Sequence, residues 1–175
     1  MTVTYRDAVP EDSDALAELG RATFVETFGH LYAPDDLAAF LETHRPEQWE
    51  ADLRAGGLAV RLAEEQGQAV AYAKVGPRSL PVETERAAVE LRQFYVLGPW
   101  QGRGISTDLM AWVLAEARSR GADELYLSVY IDNHRARRFY ARYGFQQVGE
   151  YAFMVGNHAD RDLIMRLDLE TACVD

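Results

Sequence analysis

One stretch limits what this chain can fold into more than any other. Phe94-Tyr-Val-Leu-Gly-Pro-Trp-Gln-Gly-Arg-Gly-Ile-Ser106 closes a β-like run, Val89 to Leu97, and leads straight into residues with helical apolar spacing. From Gly102 to Arg120 the apolar side chains fall at Ile105, Leu109, Met110, Val113, Leu114 and Ala117, the pattern of a helix with one buried face. Gly121 stops it, with Arg118 and Arg120 suited to the negative end of the helix dipole. Leu125 to Val129 then reads as a short buried strand. A strand that passes through a glycine loop into a helix and back to a strand requires a sheet with helices laid on it.

The rest of the chain fits that plan. Val3 and Tyr5 alternate with polar residues and predict a first strand. Asp12 and Ser13 offer cap chemistry to a helix carrying Leu16, Leu19 and Phe24. Pro34-Asp35-Asp36 opens a second helix through Leu41, and Pro46 to Leu53 forms a third. Leu58 to Ala63 and Val70 to Val75, separated by Glu64-Glu65-Gln66-Gly67, read as an antiparallel hairpin of open turn length. Pro77 to Pro81 is loop. Asn133 to Tyr143 is a helix with Ala136, Phe139, Tyr140 and Tyr143 on one stripe, ended by Gly144. Phe145 to Phe153 and Leu163 to Leu169 finish as strands. The expected class is α/β, a mixed sheet covered by helices, in one domain over 1–175.

Charge and cysteine content remove several function classes. The chain has 175 residues, 18 Lys+Arg against 28 Asp+Glu and a net charge of −10. Nucleic-acid binding needs a basic footprint, and anionic lipid attracts basic segments, so neither partner is expected. Cys173 is the sole cysteine, which excludes an intrachain disulfide and a thiolate metal cluster. His30, His44, His134 and His158 show no metal-ligand spacing, so no metal is expected. No apolar run reaches the roughly 20 residues of a membrane span, and Met1-Thr-Val-Thr-Tyr-Arg6 lacks a signal-peptide core. The expectation is a cytoplasmic protein, with its oligomeric state, monomer or homodimer, left open.

The glycine loop carries the chemistry. The first N–H groups of a helix have no internal acceptor and point where the dipole favours negative charge. Gly102 and Gly104 lack the Cβ atoms that would block a pyrophosphate. A Walker loop needs Gly-x-x-x-x-Gly-Lys-Ser/Thr, which is absent. A dinucleotide fingerprint needs a third glycine where Thr107 stands, and a place near a first strand. The remaining pattern, Gln/Arg-x-x-Gly-x-Gly/Ala after a strand, is met by Gln101-Gly102-Arg103-Gly104-Ile105-Ser106 except at the last position.

With that loop, Phe94-Tyr95-Val96 before it and Asn133-His-Arg-Ala136-Arg-Arg-Phe-Tyr140-Ala-Arg-Tyr-Gly144-Phe145 after it, the sequence resembles the GNAT superfamily of N-acetyltransferases. The resemblance implies a mostly antiparallel central sheet flanked by helices, with acetyl-CoA as cosubstrate and a primary amine as acceptor. It implies that the backbone of Phe94 and Val96 pairs with the pantetheine arm. Gln101, Gly102, Arg103, Gly104, Ile105 and Ser106 would hold the phosphates, and Asn133 would cap its helix while bonding the pantetheine. It makes Tyr140 the acid that protonates the leaving sulfur, against a plain reading as a core tyrosine. Glu90 is the candidate base, against an exposed strand charge, with Glu26 behind it; water alone could also take the amine proton. Phe24-Val-Glu-Thr-Phe28, Tyr32, Asp35-Asp36-Leu37 and Phe40-Leu41 are more weakly similar to spermine/spermidine-type acetyltransferases, or simply pack as amphipathic helices. The acid surplus and that similarity point to a small cationic amine attacked directly in a ternary complex. A non-catalytic CoA-sensing or partner-binding module on the same fold is the rival reading.

Overall fold

The computed structural model describes residues 2–172, so Cys173 and the expectation of a passive tail around it lie outside the described residues. The strands are β1 (Val3–Asp7), β2 (Ala59–Glu65), β3 (Gln68–Pro77), β4 (Ala88–Val96), β5 (Glu124–Tyr130), β6 (Gln146–Val155) and β7 (His158–Asp168). They form one sheet in the order β1-β2-β3-β4-β5-β7-β6. Every neighbouring pair is antiparallel except β4 with β5. The helices are α1 (Ser13–Phe28), α2 (Pro34–Leu41), α3 (Pro46–Ala55), α4 (Ile105–Ser119) and α5 (His134–Arg142). This is the α/β class expected, a mixed and mostly antiparallel sheet between helices.

Period-2 alternation sends the strands' side chains to two cores. On one face Leu109, Met110, Val113 and Ala117 of α4 pack with Ala71, Ala73 and Val75 of β3 and with Leu125, Leu127 and Val129 of β5. On the other, Leu16 and Leu19 of α1 and Trp49 of α3 cover Val60, Leu62 and Tyr72. Buried Lys74 fastens α3 to the sheet: its Nζ donates to Asp52 Oδ2 at 2.7 Å and lies 4.4 Å above the Trp49 ring.

Three expected boundaries move. The β2–β3 turn is only Gln66-Gly67, both with positive φ (53° and 78°), which matches the twist of a tight hairpin. Helix α4 starts at Ile105 rather than Gly102, because Gly102 and Gly104 hold φ of 75° and 85°. The last two strands are longer than expected and form one hairpin through Gly156-Asn157, drawing Met154 to Asp162 into the sheet. The tip of that hairpin rests on α2. Asn157 N donates to Asp36 Oδ1 at 2.8 Å, and a Cβ on Gly156 would lie 2.6 Å from Asp36 Cα.

His44, following α2, is buried beside the ring of Phe40. Burial first, then the charges of Lys74 and Arg21, lower its pKa from 6.5 to about 4. Below about pH 6.5 the unfolded chain takes up a proton that the folded chain refuses until about pH 4, so His44 costs stability as the pH falls through that window. The shift corresponds to about 3 kcal/mol. Urea titrations at several pH values should show wild type losing that amount relative to His44→Asn between pH 7 and 4; parallel curves would place the His44 pKa near its ordinary value.

Candidate active site

The cavity of this protein begins where two strands part. β4 and β5 pair only over Ala88–Glu90 with Glu124–Tyr126, although both run on. In β4 the register with β3 passes from Gln93↔Lys74 to Leu91↔Val75, leaving Arg92 as a bulge. A bulge increases local twist, which carries β4 away from its parallel neighbour. A cavity of ≈ 720 Å³ occupies the gap and continues to both faces of the sheet.

The strand edge facing the gap keeps its backbone groups free. Leu97 N donates to Val70 O at 3.0 Å. By the alternation of an antiparallel ladder, Gln93 and Tyr95 turn their main chains to β3 while Phe94 and Val96 turn theirs to the gap. There Val96 O accepts from Gln101 Nε2 at 3.0 Å, which ties the following loop to the strand end. Arg135 in turn donates to Gln101 Oε1.

At the mouth beside α4 the loop forms a backbone cradle. The N–H groups of Gly102 to Ser106 have no acceptor among the described residues; the first in use is Thr107 N, to Gly104 O at 3.0 Å. Five consecutive free donors at the positive end of a 15-residue helix are a site for phosphate oxygens. A Cβ on Gly102 or Gly104 would meet nothing within 4 Å, so the space before these donors is open, and their positive φ is what demands glycine. Ser106 lines this space as well. The cradle therefore fits a pyrophosphate group.

On the far wall stands α5. Asn133 caps it, Oδ1 accepting from Ala136 N at 3.2 Å, and its amide nitrogen donates to nothing among the described residues. Ala136, Phe139 and Tyr140 line the cavity. The Tyr140 ring packs among Phe94, Phe139 and Phe145, with centroids 6.3, 5.5 and 5.7 Å away. Its hydroxyl makes no hydrogen bond among the described residues. Burial and then nearby Tyr95 push the phenol well above its ordinary value, so it keeps its proton at neutral pH.

A cradle, a free strand edge and a protonated phenol around one cavity match known proteins. The sequence description of the "Acetyltransferase (GNAT) family" matches residues 22–145. The chain belongs to the GNAT acetyltransferase family. An uncharacterized N-acetyltransferase, Rv2669, of Mycobacterium tuberculosis is 32% identical over 162 residues, which span 90% of this chain and 98% of that one. The PaiA N-acetyltransferase of Thermoplasma acidophilum, solved in complex with coenzyme A, superposes with a TM-score of 0.76 at 17% identity over 96% of this chain and 99% of that one. YncA of Salmonella typhimurium, solved with acetyl-CoA, gives 0.72 at 22% identity over 100% and 98%.

In this acetyltransferase the residues expected from sequence divide into two groups. Phe94, Val96, Gln101, Gly102, Gly104, Ser106, Asn133 and Tyr140 all line the cavity. Ile105 is 1% exposed with its side chain in the core, so only its N–H is on offer. Arg103 points away: its Nη2 pairs with Glu65 Oε1 at 2.7 Å, and Trp100 holds the other carboxylate oxygen at 2.8 Å. Glu90 is neither exposed nor on the cavity wall. Its carboxylate accepts from Ser79 N at 2.6 Å, Ser79 Oγ at 3.0 Å and Leu80 N at 3.1 Å, and so fixes the loop after β3. Glu26 does line the cavity, with Oε2 accepting from Gly98 N at 2.9 Å.

Sequence reasoning missed Asp160 and Asp162, which line the end of the cavity opposite the cradle. The signal was present. Asp160, Asp162 and Ile164 alternate with Arg161 and Leu163 at strand period, but aspartate is depleted in strands, and the expected last strand began only at Leu163.

The bonds of Glu90 make it a structural anchor. Glu90→Ala strips acceptors from two buried-loop N–H groups and should cost about 2 kcal/mol of stability. Acetyl-transfer turnover at saturating substrate should stay within about threefold; a hundredfold loss in a folded variant would return Glu90 to the reaction.

Proposed function

We propose that this GNAT enzyme moves the acetyl group of acetyl-CoA to the nitrogen of a small cationic primary amine by direct attack in a ternary complex. The observation that carries the reading is the single cavity through the β4–β5 gap, which joins the phosphate cradle and the Tyr140 hydroxyl to a second opening among α1, α2 and β7. Two partners can thus meet at the centre from opposite faces. The coenzyme A and acetyl-CoA held by the similar folds support the identity of the donor.

The chain's own groups supply the chemistry. The N–H groups of Gly102 to Ser106 receive pyrophosphate oxygens. The main chains of Phe94 and Val96 pair with the pantetheine amides as an added strand would, and the Asn133 amide nitrogen adds one donor. The Val96 N–H polarises the thioester carbonyl and stabilises the oxyanion that forms on it. Tyr140 gives its proton to the departing sulfur. Direct attack needs no protein thiol; the one cysteine of the sequence, Cys173, lies outside the described residues.

Thiol release from acetyl-CoA across a panel of primary amines tests the reading; tight CoA binding with no turnover on any amine would favour the binding module instead. Tyr140→Phe should lower kcat about a hundredfold. Its melting temperature should hardly move, since the hydroxyl has no protein partner to lose. Near-normal kcat would remove the acid role. Gly104→Ala places a Cβ on a backbone held at a φ of 85°, which strains the turn that aims the cradle's N–H groups. Calorimetry should record CoA binding at least about tenfold weaker, or ~1.4 kcal/mol, and unchanged affinity in a folded variant would move the phosphates elsewhere.

A further inference from the structure

The end of the cavity away from the cradle holds an unneutralised negative charge. Asp160 and Asp162 stand two apart on β7, so their side chains share one face of the sheet. Each is 6% exposed. Asp160 is partnered: it accepts from the Tyr32 hydroxyl, and His158 Nε2 lies 3.2 Å from Oδ1. Asp162 has no such charged partner. No cationic side chain among the described residues pairs with it, and the hydrogen bond it has is from the neutral hydroxyl of Ser128, which also lies 3.2 Å from Tyr151 Oη.

The groups facing Asp162 are all neutral or acidic. Its cross-strand neighbours are Tyr130 on β5 and Tyr151 on β6. Tyr95 of β4 and Tyr32, after α1, lie within its electrostatic reach, and Asp160 is beside it. Burial and then the charge of Asp160 raise its pKa from 3.8 to about 7. A buried carboxylate next to another carboxylate is costly unless a cation completes the site. No described residue is that cation.

The walls around the pair are apolar rings. Phe24, Phe28, Phe40 and Phe153 line the same end of the cavity, with Phe24 and Phe40 centroids 4.2 Å apart and Phe40 and Phe153 5.6 Å apart. The other carboxylate on the lining, Glu26, accepts the Gly98 N–H through Oε2, in the turn ahead of the glycine loop. A buried carboxylate pair beside a ring-lined wall suits one ammonium group with an apolar body.

We propose that Asp160 and Asp162 bind the acceptor's ammonium group, that Asp162 takes the proton it gives up, and that the phenylalanine wall selects a monoamine with an apolar, ring-sized body over a polyamine. This rests on the acetyl-transfer reading and deepens it. The ammonium R–NH3+ passes one proton to the Asp162 carboxylate and becomes R–NH2. The nitrogen lone pair then forms the C–N bond to the thioester carbon. As the tetrahedral species collapses, the C–S bond breaks and its electron pair leaves with sulfur, which takes the Tyr140 proton. The second proton on nitrogen restores Tyr140 through water, and Asp162 returns its own to solvent.

The experiment compares 2-phenylethylamine, spermidine and aniline as acceptors for wild type and Asp162→Asn. The wild type should favour 2-phenylethylamine over spermidine at least about tenfold in kcat/KM. Asp162→Asn should lose about a hundredfold on 2-phenylethylamine. It should lose far less on aniline, which is uncharged at neutral pH and needs no proton removed before attack. CoA affinity by calorimetry should be unchanged. A purely structural aspartate would destabilise the fold when replaced. Here the opposite sign is expected: with a raised folded pKa, the group costs stability progressively as the pH rises from about 4 to about 7 and in full above that, so Asp162→Asn should melt higher than wild type at about pH 8 and lose that advantage below about pH 4. Equal losses on both amines, an undiminished kcat/KM on 2-phenylethylamine, or a preference for spermidine would overturn the assignment while acetyl transfer stood. Should no amine turn over, the same pair of proteins is read by the melting shift that 2-phenylethylamine produces: a shift in wild type lost in Asp162→Asn keeps the ammonium site, and none in either removes it.

Discussion

The parting of β4 and β5 governs the rest of the molecule. A sheet interior is a poor place for unpaired N–H and C=O groups, and a strand that leaves its neighbour after three paired residues strands several of them. No described residue pairs with β4 across the gap. Instead the Arg92 bulge sustains it, the Glu90 carboxylate pins the loop beside the last paired residues, and Gln101 takes the one carbonyl at the strand end. The open ladder is thus held open by specific bonds at both ends. An edge of this kind suits an extended molecule with alternating amides, which is why the proposed reading lays the pantetheine arm along it.

What was legible from the sequence was the part written in neighbouring residues. The strand, glycine loop and α4 follow one another, so spacing and glycine positions pointed to the cradle, and the resemblance to the GNAT superfamily pointed to Phe94, Val96, Asn133 and Tyr140, all of which stand on the cavity wall. Gly102 was assigned to the helix because composition does not reveal a positive φ; the backbone had to be seen. Glu90 and Arg103 carry the right chemistry on the right elements, yet their charges are spent on Ser79, Leu80 and Glu65, residues 10 to 38 positions away in the chain. Asp160 and Asp162 failed for the converse reason. Their strand is made by pairing with β5 and β6, and tertiary pairing overrides the low β-propensity of aspartate.

The electrostatics follow a similar division. The chain carries a net charge of −10, but many surface acids are engaged: Asp12 and Glu64 share Arg6, Asp168 and Glu170 share Arg86, and Glu150 pairs with Arg161. Exposed pairs of this kind contribute little each. The charge that matters energetically is at Asp162, where burial removes the water that would otherwise screen it. Net charge hinted at a cationic partner without saying where it binds.

The Gly156-Asn157 tip seated on Asp36 gives the molecule a discontinuous half and a continuous half. The cradle end of the cavity is built from one unbroken stretch, from β4 to α5. The other end is stitched together from α1 and α2 and, more than a hundred residues on, the β6–β7 hairpin; the clasp joins them together with the Phe40–Phe153 contact and the Tyr32–Asp160 bond. On the reading proposed above, a change of acceptor is a matter of editing the two segments that these contacts bring together, while the stretch that forms the cradle keeps its sequence.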